Sequence, residues 1–174
     1  MTIDDYSQLS PDLVIRAVES TGRISDARVM ALNSYENRVY QIGIEDEKPV
    51  IAKFYRPARW QTAQIIEEHH FCQDLVATEL PIVAPLMAQQ STETLFEFEG
   101  YRFALFQRKG GQAPEAGDLE QIHRIGMLLG RVHAIGKQHD FIARPRLTVE
   151  RFLHVPYQCV REGFMPSSLL ARYE

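Results

Sequence analysis

Two alternating runs joined by a short acidic turn constrain the fold of this chain more than any other feature. Residues 38–44 place Val39, Gln41 and Gly43 against Tyr40, Ile42 and Ile44. Residues 50–55 follow after the polar turn at 45–49. Because successive side chains of a strand point to opposite faces of a sheet, both runs predict strands. The short turn between them predicts an antiparallel hairpin.

Further strands and helices are predicted from turn residues, caps and apolar spacing. The predicted strands cover residues 28–32, 86–88, 93–98 and 101–107, with a hairpin-type turn at Glu99-Gly100. The predicted helices run from Pro11 behind the N-cap Ser10 to Gly22, from about 62 to 78, and from Asp118 to about Gly136. A last helix start is predicted at Pro166. The sum is an α+β fold of about five or six strands with one long helix inserted after the third.

The helix that begins at Asp118 carries an apolar stripe, which predicts a buried face. The stripe consists of Ile122, Ile125, Leu129 and Val132. Gly126 and Gly130 lower helix propensity, so we expect close packing against a neighbour to offset them.

Composition excludes several classes of protein. Of the 174 residues, 45% are apolar and 24% charged, which excludes a disordered chain. The net charge of −4 provides no overall positive field for nucleic acid. No apolar run approaches the length of a membrane span, and the polar N-terminus does not resemble a signal peptide. Because Cys72 and Cys159 match no metal spacing, a reduced cytoplasmic protein is predicted.

Lys53 and Glu68 are the two charged residues whose positions need an explanation. Strand alternation places Lys53 on the face of Ile51 and Tyr55, among apolar neighbours. Glu68 lies within an apolar helical stripe formed by Ile65, Cys72 and Leu75. A buried carboxylate requires a partner, and a helix packed beside the sheet would supply one in Lys53. A purely structural ion pair, or a lysine reaching solvent at a sheet edge, remains an alternative.

Other polar clusters give weaker signals. The loop at 33–37 contains no glycine, although its backbone and hydroxyl groups are able to donate to phosphate; an Asx-type turn is the alternative. No histidine spacing matches a metal motif, so surface or satisfied histidines are predicted. Trp60 follows a short basic run, but packing is favoured over nucleic-acid contact.

Four segments together resemble the bacterial stress response kinase A family, a relative of choline kinases and aminoglycoside phosphotransferases. They read LNSYENRVYQ at 32–41, KFYRPARW at 53–60, QIIEEH at 64–69 and LGRVH at 129–133. The resemblance covers nearly the whole chain. It implies a kinase-like N-lobe and Ser/Thr protein kinase activity with ATP and magnesium.

The resemblance also implies roles for individual residues. Lys53 would hold the α- and β-phosphates, and Glu68 would orient it. The phosphate-covering loop would be Ser34, Tyr35, Glu36 and Asn37. The adenine ceiling would be Leu32, Val39 and Ile51. The gatekeeper would be Phe106, and the hinge would be Gln107, Arg108 and Lys109.

One departure from the family pattern concerns the catalytic loop, of the form His-Gly-Asp-x-His-x-x-Asn. None of the six histidines is followed by Gly-Asp. We therefore expect the catalytic aspartate and the magnesium ligands to lie beyond Glu174, so that no catalytic or metal residue lies within this chain. The chain would be a truncated N-terminal portion, inactive alone. The uncovered stripe would make it self-associate, or leave 118–136 and 148–174 poorly ordered.

The combined prediction is an α+β chain with a kinase-like N-lobe of about five antiparallel strands plus one helix, followed by the first helices of a truncated C-lobe. Residues 1–107 would form the N-lobe with its N-terminal helix, and 108–174 the hinge and incomplete C-lobe. The predicted partners are ATP and a protein substrate, without nucleic acid or membrane. A small-molecule kinase acting on an amino alcohol or sugar, and a non-catalytic module of N-lobe shape, remain alternatives.

Overall fold

The computed structural model describes residues 5–89, 91–169 and 172. The chain divides into two compact units, Met1–Asp140 and Phe141–Glu174. The first unit contains helices α1 (Pro11–Glu19), α2 (Thr62–Ala77) and α3 (Leu119–Gly136), and strands β1 (Ser25–Leu32), β2 (Arg38–Ile44), β3 (Val50–Phe54), β4 (Phe96–Phe98) and β5 (Tyr101–Gln107). The second unit contains a π-helix at Glu150–His154, helix α4 (Val155–Gly163) and a 3-10 turn at Ser167–Leu169.

The five strands form one antiparallel sheet in the order β1-β2-β3-β5-β4. The predicted hairpin of β2 and β3 is confirmed, with Tyr40 opposite Ala52 and Val39 opposite Lys53. Strand β3 also pairs with β5, where Lys53 lies opposite Ala104. Strand β3 is therefore the central strand, and its lysine cannot lie at a sheet edge.

Helix α1 covers one face of the sheet. It begins at Pro11 because the Ser10 hydroxyl accepts a hydrogen bond from the Leu13 amide at 3.2 Å. Its apolar stripe packs on the inward side chains of the central strands. This core contains Leu13, Val14, Ala17, Val18, Ile42, Ala52, Phe54, Phe103 and Leu105, all buried.

Helix α2 covers only part of the opposite face. A smaller core there joins Tyr55, Ile65 and Ala104, with Trp60, Leu95 and Phe106 packed against it. Leu32, Val39 and Ile51, which belong to β1, β2 and β3, remain half-buried. The sheet thus keeps an incompletely covered apolar surface beside α2.

Three strand predictions need correction. The strand predicted at 93–98 is shorter, since β4 begins at Phe96. Residues 86–88 form no strand, because only an isolated bridge joins Pro85 to Phe106. Strand β1 begins at Ser25 rather than at 28, across a register shift between Ser25 and Val29. The shift brings the Asp26 carboxylate close to the backbone of β2, where a Cβ atom at Gly43 would lie 2.0 Å from Asp26 Oδ1. Sequence alternation alone does not reveal such a bulge.

Helix α3 begins and ends as predicted, with Asp118 accepting from the Gln121 amide at 3.0 Å. Within the described residues its stripe is not buried, which contradicts the predicted buried face and agrees with the expectation that the stripe would be uncovered. Leu129 is 53% exposed, and Ile122 and Ile125 are also exposed. The predicted close packing of Gly126 and Gly130 is wrong as well, since no atom that the structure describes lies within 4 Å of a Cβ placed at either position.

The helices at Glu150–His154 and Val155–Gly163 were not predicted. Pro156 would break a helix interior, yet it lies in the first turn of α4, where a missing amide hydrogen costs little. The helix start predicted at Pro166 is a short 3-10 turn, and residues 170, 171, 173 and 174 lie outside the described residues. None of the described helices combines the length and apolar character needed to cross a membrane.

Candidate functional site

Lys53 and Glu68 meet on the partly covered face of the sheet. Lys53 Nζ lies 3.2 Å from Glu68 Oε1, so the predicted ion pair is confirmed. Burial of Ile65 one turn earlier holds α2 against the sheet, which turns Glu68 toward β3. The side chains are 23% and 33% exposed, so solvent reaches the pair from one side. Lys53 Nζ also lies 4.6 Å from the Tyr55 ring centroid, within reach of its negative face.

The apolar residues beside this pair share one sheet face. Leu32 lies opposite Val39, and Val39 lies opposite Lys53, so the three side chains project in the same direction. Ile51 is two residues before Lys53 on β3 and therefore also joins this face. The structure brings together an ammonium group and a half-buried apolar strip.

The loop between β1 and β2 is anchored through Glu36. Trp60 Nε1 donates to Glu36 Oε1 at 2.9 Å, and Arg59 Nε lies 3.4 Å from the same oxygen. The Arg59 guanidinium stacks over the Trp60 ring at 4.8 Å. Tyr35, next to this anchor, is fully exposed at the tip of the loop, and Ser34 is half-buried. The segment before α2 therefore positions the loop that precedes β2.

Two further contacts hold the end of the loop. Asn37 Oδ1 accepts a hydrogen bond from the Arg56 amide at 3.3 Å. The Tyr6 hydroxyl lies 3.0 Å from the Phe54 carbonyl oxygen and 3.3 Å from that of Glu36. Burial raises the pKa of Tyr6 to about 12, so its hydroxyl remains a donor at neutral pH. Mobility of the loop without nucleotide, which the sequence predicts, stays a prediction.

The remaining predicted site residues lie at the end of strand β5 and directly after it. Phe106 lies opposite Ile51 and packs against the core beneath α2. Gln107, Arg108 and Lys109 are exposed at and beyond the end of the strand. Arg108 Nε donates to Gln41 Oε1 at 2.8 Å, which ties this segment to β2. No pattern in the sequence predicted that contact.

His69 was missed as a residue with a specific structural role. It is buried, its Nε2 lies 2.7 Å from the Tyr55 hydroxyl, and its Nδ1 lies 2.8 Å from Thr94 Oγ1. Burial lowers the pKa of His69 to about 4, so the ring is neutral at pH 7. This network fixes α2 on β3 one residue after Glu68. Thr94 is distant in sequence, so periodicity could not reveal it.

Carboxylates do not converge here in a way that suits a metal ion. Among residues 5–89, 91–169 and 172, no three His, Cys, Asp or Glu side chains are grouped as metal ligands. Glu68 faces Lys53, and Glu36 faces Arg59 and Trp60. The residues that the structure describes do not by themselves form a magnesium site.

A lysine–glutamate pair between a central strand and the adjoining helix, beside an open apolar face, is typical of nucleotide-binding lobes. The model of the phosphotransferase enzyme family matches residues 28–162. The chain belongs to the phosphotransferase enzyme family. Within the chain, the match includes most of β1, the strands β2 to β5, the ion pair, α2 and α3.

Curated relatives agree with the resemblance found in the sequence. The serine/threonine protein kinase RdoA of Salmonella typhimurium is 37% identical over 169 residues, which is 97% of this chain and 51% of that protein. Stress response kinase A of Escherichia coli K12 is 38% identical with the same coverage. The chain therefore spans about half the length of the curated relatives it matches, and the predicted family resemblance is confirmed.

Solved structures confirm the predicted fold class. Amicoumacin kinase hAmiN, solved in complex with AMP-PNP, Ca2+ and Ami, superposes with a TM-score of 0.69 at 17% identity, covering 91% of this chain and 51% of that one. The microcompartment-associated aminopropanol kinase superposes with a TM-score of 0.65 at 19% identity, covering 92% and 55%. The fold is thus a kinase-like N-lobe followed by part of a C-lobe.

Proposed function

We propose that this chain is the N-terminal, nucleotide-binding part of an ATP-dependent phosphotransferase of the Ser/Thr protein kinase type. The observation that carries the proposal is the 3.2 Å contact between Lys53 Nζ and Glu68 Oε1 beside the half-buried apolar face of the sheet. The family membership and the names of the 37–38% identical relatives support the same class of reaction.

In this proposal the pair positions the nucleotide rather than transferring a proton. The Lys53 ammonium holds the α- and β-phosphates, where a partly desolvated cation interacts more strongly than in bulk water. Glu68 orients the ammonium and balances its charge when no phosphate is present. Phosphoryl transfer depends mainly on such positioning and electrostatic stabilisation.

The other predicted site residues complete the nucleotide pocket. Leu32, Val39 and Ile51 form the ceiling over the adenine, and Phe106 is the gatekeeper behind it. The backbone of Gln107, Arg108 and Lys109 meets the adenine edge. The phosphates are covered by the loop formed by Ser34, Tyr35, Glu36 and Asn37. The contacts of Glu36 with Arg59 and Trp60 anchor that loop to the segment before α2.

Magnesium belongs to the proposal as the ion that accompanies ATP and neutralises its phosphates. Because the described carboxylates do not converge on a metal position, no metal ligand and no catalytic base is assigned to them. The chain alone is proposed to bind nucleotide without transferring phosphate.

A protein substrate is proposed because one of the curated relatives is named a serine/threonine protein kinase. The alternative is a small-molecule acceptor, which the two solved structures favour through their names. Their identities of 17% and 19% are about half those of the curated relatives, so the protein acceptor is preferred.

The proposal also includes a lobe boundary, a cellular location and self-association of the chain. The lobe boundary lies at 107/108, where β5 ends. The location is cytoplasmic. The isolated chain self-associates through the exposed apolar stripe of α3.

Nucleotide binding to the purified chain tests the proposal. AMP-PNP should bind saturably, and Lys53→Ala should weaken it by at least about tenfold, because a charge-assisted contact to phosphate is lost. Lys137→Ala removes an exposed lysine at the end of α3, away from the sheet, and is the control. Equal affinity in wild type and Lys53→Ala would refute the proposal, and Lys53-dependent phosphate transfer by the chain alone would refute its assignment as the binding part only.

A further inference from the structure

A cavity separate from the proposed nucleotide pocket lies at the end of the sheet, on the side that α1 covers. Its volume is about 510 Å³, and it is lined by the β2–β3 turn, the segment before β1, Leu86 and the end of β5. Val50 lines it and belongs to the core beneath α1. Ile51, the neighbouring residue, belongs to the opposite, nucleotide-side face. The cavity and the proposed nucleotide pocket thus share only the segment Gln107–Lys109.

The charge of this cavity is opposite to that of the whole chain. Four of its ten lining residues are cations, namely Arg23, Lys48, Arg108 and Lys109, and one is a carboxylate, Glu47. The chain as a whole carries a net charge of −4. Among the described residues, none of these four cations takes part in an ion pair. Like charges brought together without counter-charges are stabilised by an anion.

Arg23 provides an independent sign that a partner is missing. Its Nε is shielded from solvent and has no hydrogen-bond partner among the described residues. Its Nη1 donates to the buried Thr21 hydroxyl at 3.2 Å, which fixes the position of the guanidinium. A buried donor without an acceptor costs free energy, and an oxyanion is the acceptor that a guanidinium fork fits best.

We propose that this cavity, called here the rear anion site and formed by Arg23, Lys48, Arg108 and Lys109, binds a small phosphate-bearing anion. Arg23 supplies a guanidinium that its contact with Thr21 holds in place, and the lysines supply mobile positive charges at the rim. Arg108 also lines the cavity, while its Nε donates to Gln41 on the nucleotide-side face of the sheet. The volume is within the range of small-molecule sites, and it favours a phosphorylated metabolite or inorganic phosphates over a macromolecule.

The rear anion site contacts the proposed hinge from the side opposite the nucleotide. A ligand bound to Arg108 and Lys109 therefore touches the same segment that meets the adenine edge. The proposal does not rest on the nucleotide function, because its residues and its cavity are separate from Lys53 and Glu68.

A titration of the ¹⁵N-labelled chain with inorganic pyrophosphate, at constant ionic strength, tests the proposal. We expect saturable amide shifts at residues 47–50 and 107–110. Arg23→Gln should weaken binding at least about tenfold, since it removes the fixed donor fork. Lys48→Gln, an exposed change that preserves folding, should weaken it several-fold. Lys137→Gln, on α3, is the matched control and should have no effect.

Several outcomes would overturn the proposal. Shifts that rise linearly without saturation show screening alone, as does an equal loss in Lys137→Gln. Shifts confined to 32–41 and 51–53 that disappear in Lys53→Ala show pyrophosphate in the nucleotide pocket only. If Arg23→Gln fails to fold, unchanged affinity in Lys48→Gln is the deciding negative result. AMP-PNP binding, measured separately, reports on the nucleotide function and is expected to survive Lys48→Gln.

Discussion

The sheet and helix α3 carry equally regular apolar patterns and reach opposite outcomes. In the sheet, Phe54, Phe103 and Leu105 are completely buried. In α3, no residue is buried, and Leu129 is 53% exposed. Both regions belong to the same compact unit, so the difference does not come from separate folding of two units.

The difference shows that periodicity identifies the apolar face of a helix or strand but does not show whether another element packs against it. The sheet has α1 on one side and part of α2 on the other. The C-terminal half of α3 contacts α2 and its C-cap, where Arg131 donates to the Thr78 carbonyl at 3.1 Å and Gly136 approaches Phe71. An apolar stripe stabilises a fold only when another element removes it from water.

Truncating one apolar side chain in the sheet and one in α3 should give the largest difference in stability. Phe103→Ala should lower the free energy of unfolding by about 3–5 kcal/mol, because it leaves a cavity between Phe54 and Phe96. Leu129→Ala should change it by about 0.5 kcal/mol or less. Urea denaturation of both variants measures the difference. Similar losses would show that α3 is packed as tightly as the sheet.

The second prediction concerns pH and the contact between α2 and the sheet. Because burial lowers the pKa of His69 to about 4, protonation is harder in the folded chain than in the unfolded chain, whose histidine titrates near 6.5. The stabilisation by neutral His69 is therefore complete above pH 6.5 and is lost as pH falls from 6.5 to 4. The slope is at most about 1.4 kcal/mol per pH unit.

Urea denaturation across this pH range measures that slope. His69→Gln should be less stable at pH 7 and show a flatter profile between pH 6.5 and 4. His70→Gln changes the neighbouring exposed histidine and should keep the wild-type slope. An unchanged slope in His69→Gln would mean that other groups dominate the pH response.

The third prediction tests whether the stripe of α3 drives association. Leu129→Lys should shift the purified chain toward the monomer, because a charge in an apolar contact must be desolvated. His123→Lys places the same charge on an exposed position of α3 outside the stripe and should leave association unchanged. Light scattering at matched concentrations decides the matter. A wild-type chain that stays monomeric at high concentration contradicts the prediction.

The smallest effects are expected where the two regions are alike, in their exposed ion pairs. Arg16 pairs with Glu99 at 2.6 Å beside the sheet, and Glu120 pairs with Arg124 within α3. Glu99→Gln and Glu120→Gln should each cost about 1 kcal/mol or less, and less still at high salt. Urea midpoints at two salt concentrations test both. A large, salt-independent loss in either variant would show that its pair is more than a surface contact.

Local sequence signals were sufficient for the main elements and for the central ion pair. The alternation on both sides of the acidic turn predicts β2 and β3, and the Ser10 and Asp118 caps locate two helix starts. Glu68 was found because a carboxylate within an apolar stripe needs a partner, and Lys53 was the available cation. These inferences succeed because they depend on spacing along one element and on the cost of burying charge.

The contacts that needed the tertiary structure join residues far apart in the chain. Trp60 binds Glu36 across 24 positions, His69 binds Thr94 across 25, and Arg108 binds Gln41 across 67. No periodicity links such positions, because their meeting depends on strand order and on how α2 lies against the sheet.

The sequence by itself determined the identity of the elements, their faces and the charged pair between β3 and α2. Only the tertiary structure decided which apolar faces are covered, because cover requires a second surface that spacing along one element cannot specify. It also decided that Arg23 joins three other cations in one cavity, since the turn at 45–49 and the end of β5 come together only when β3 pairs with both of its neighbours.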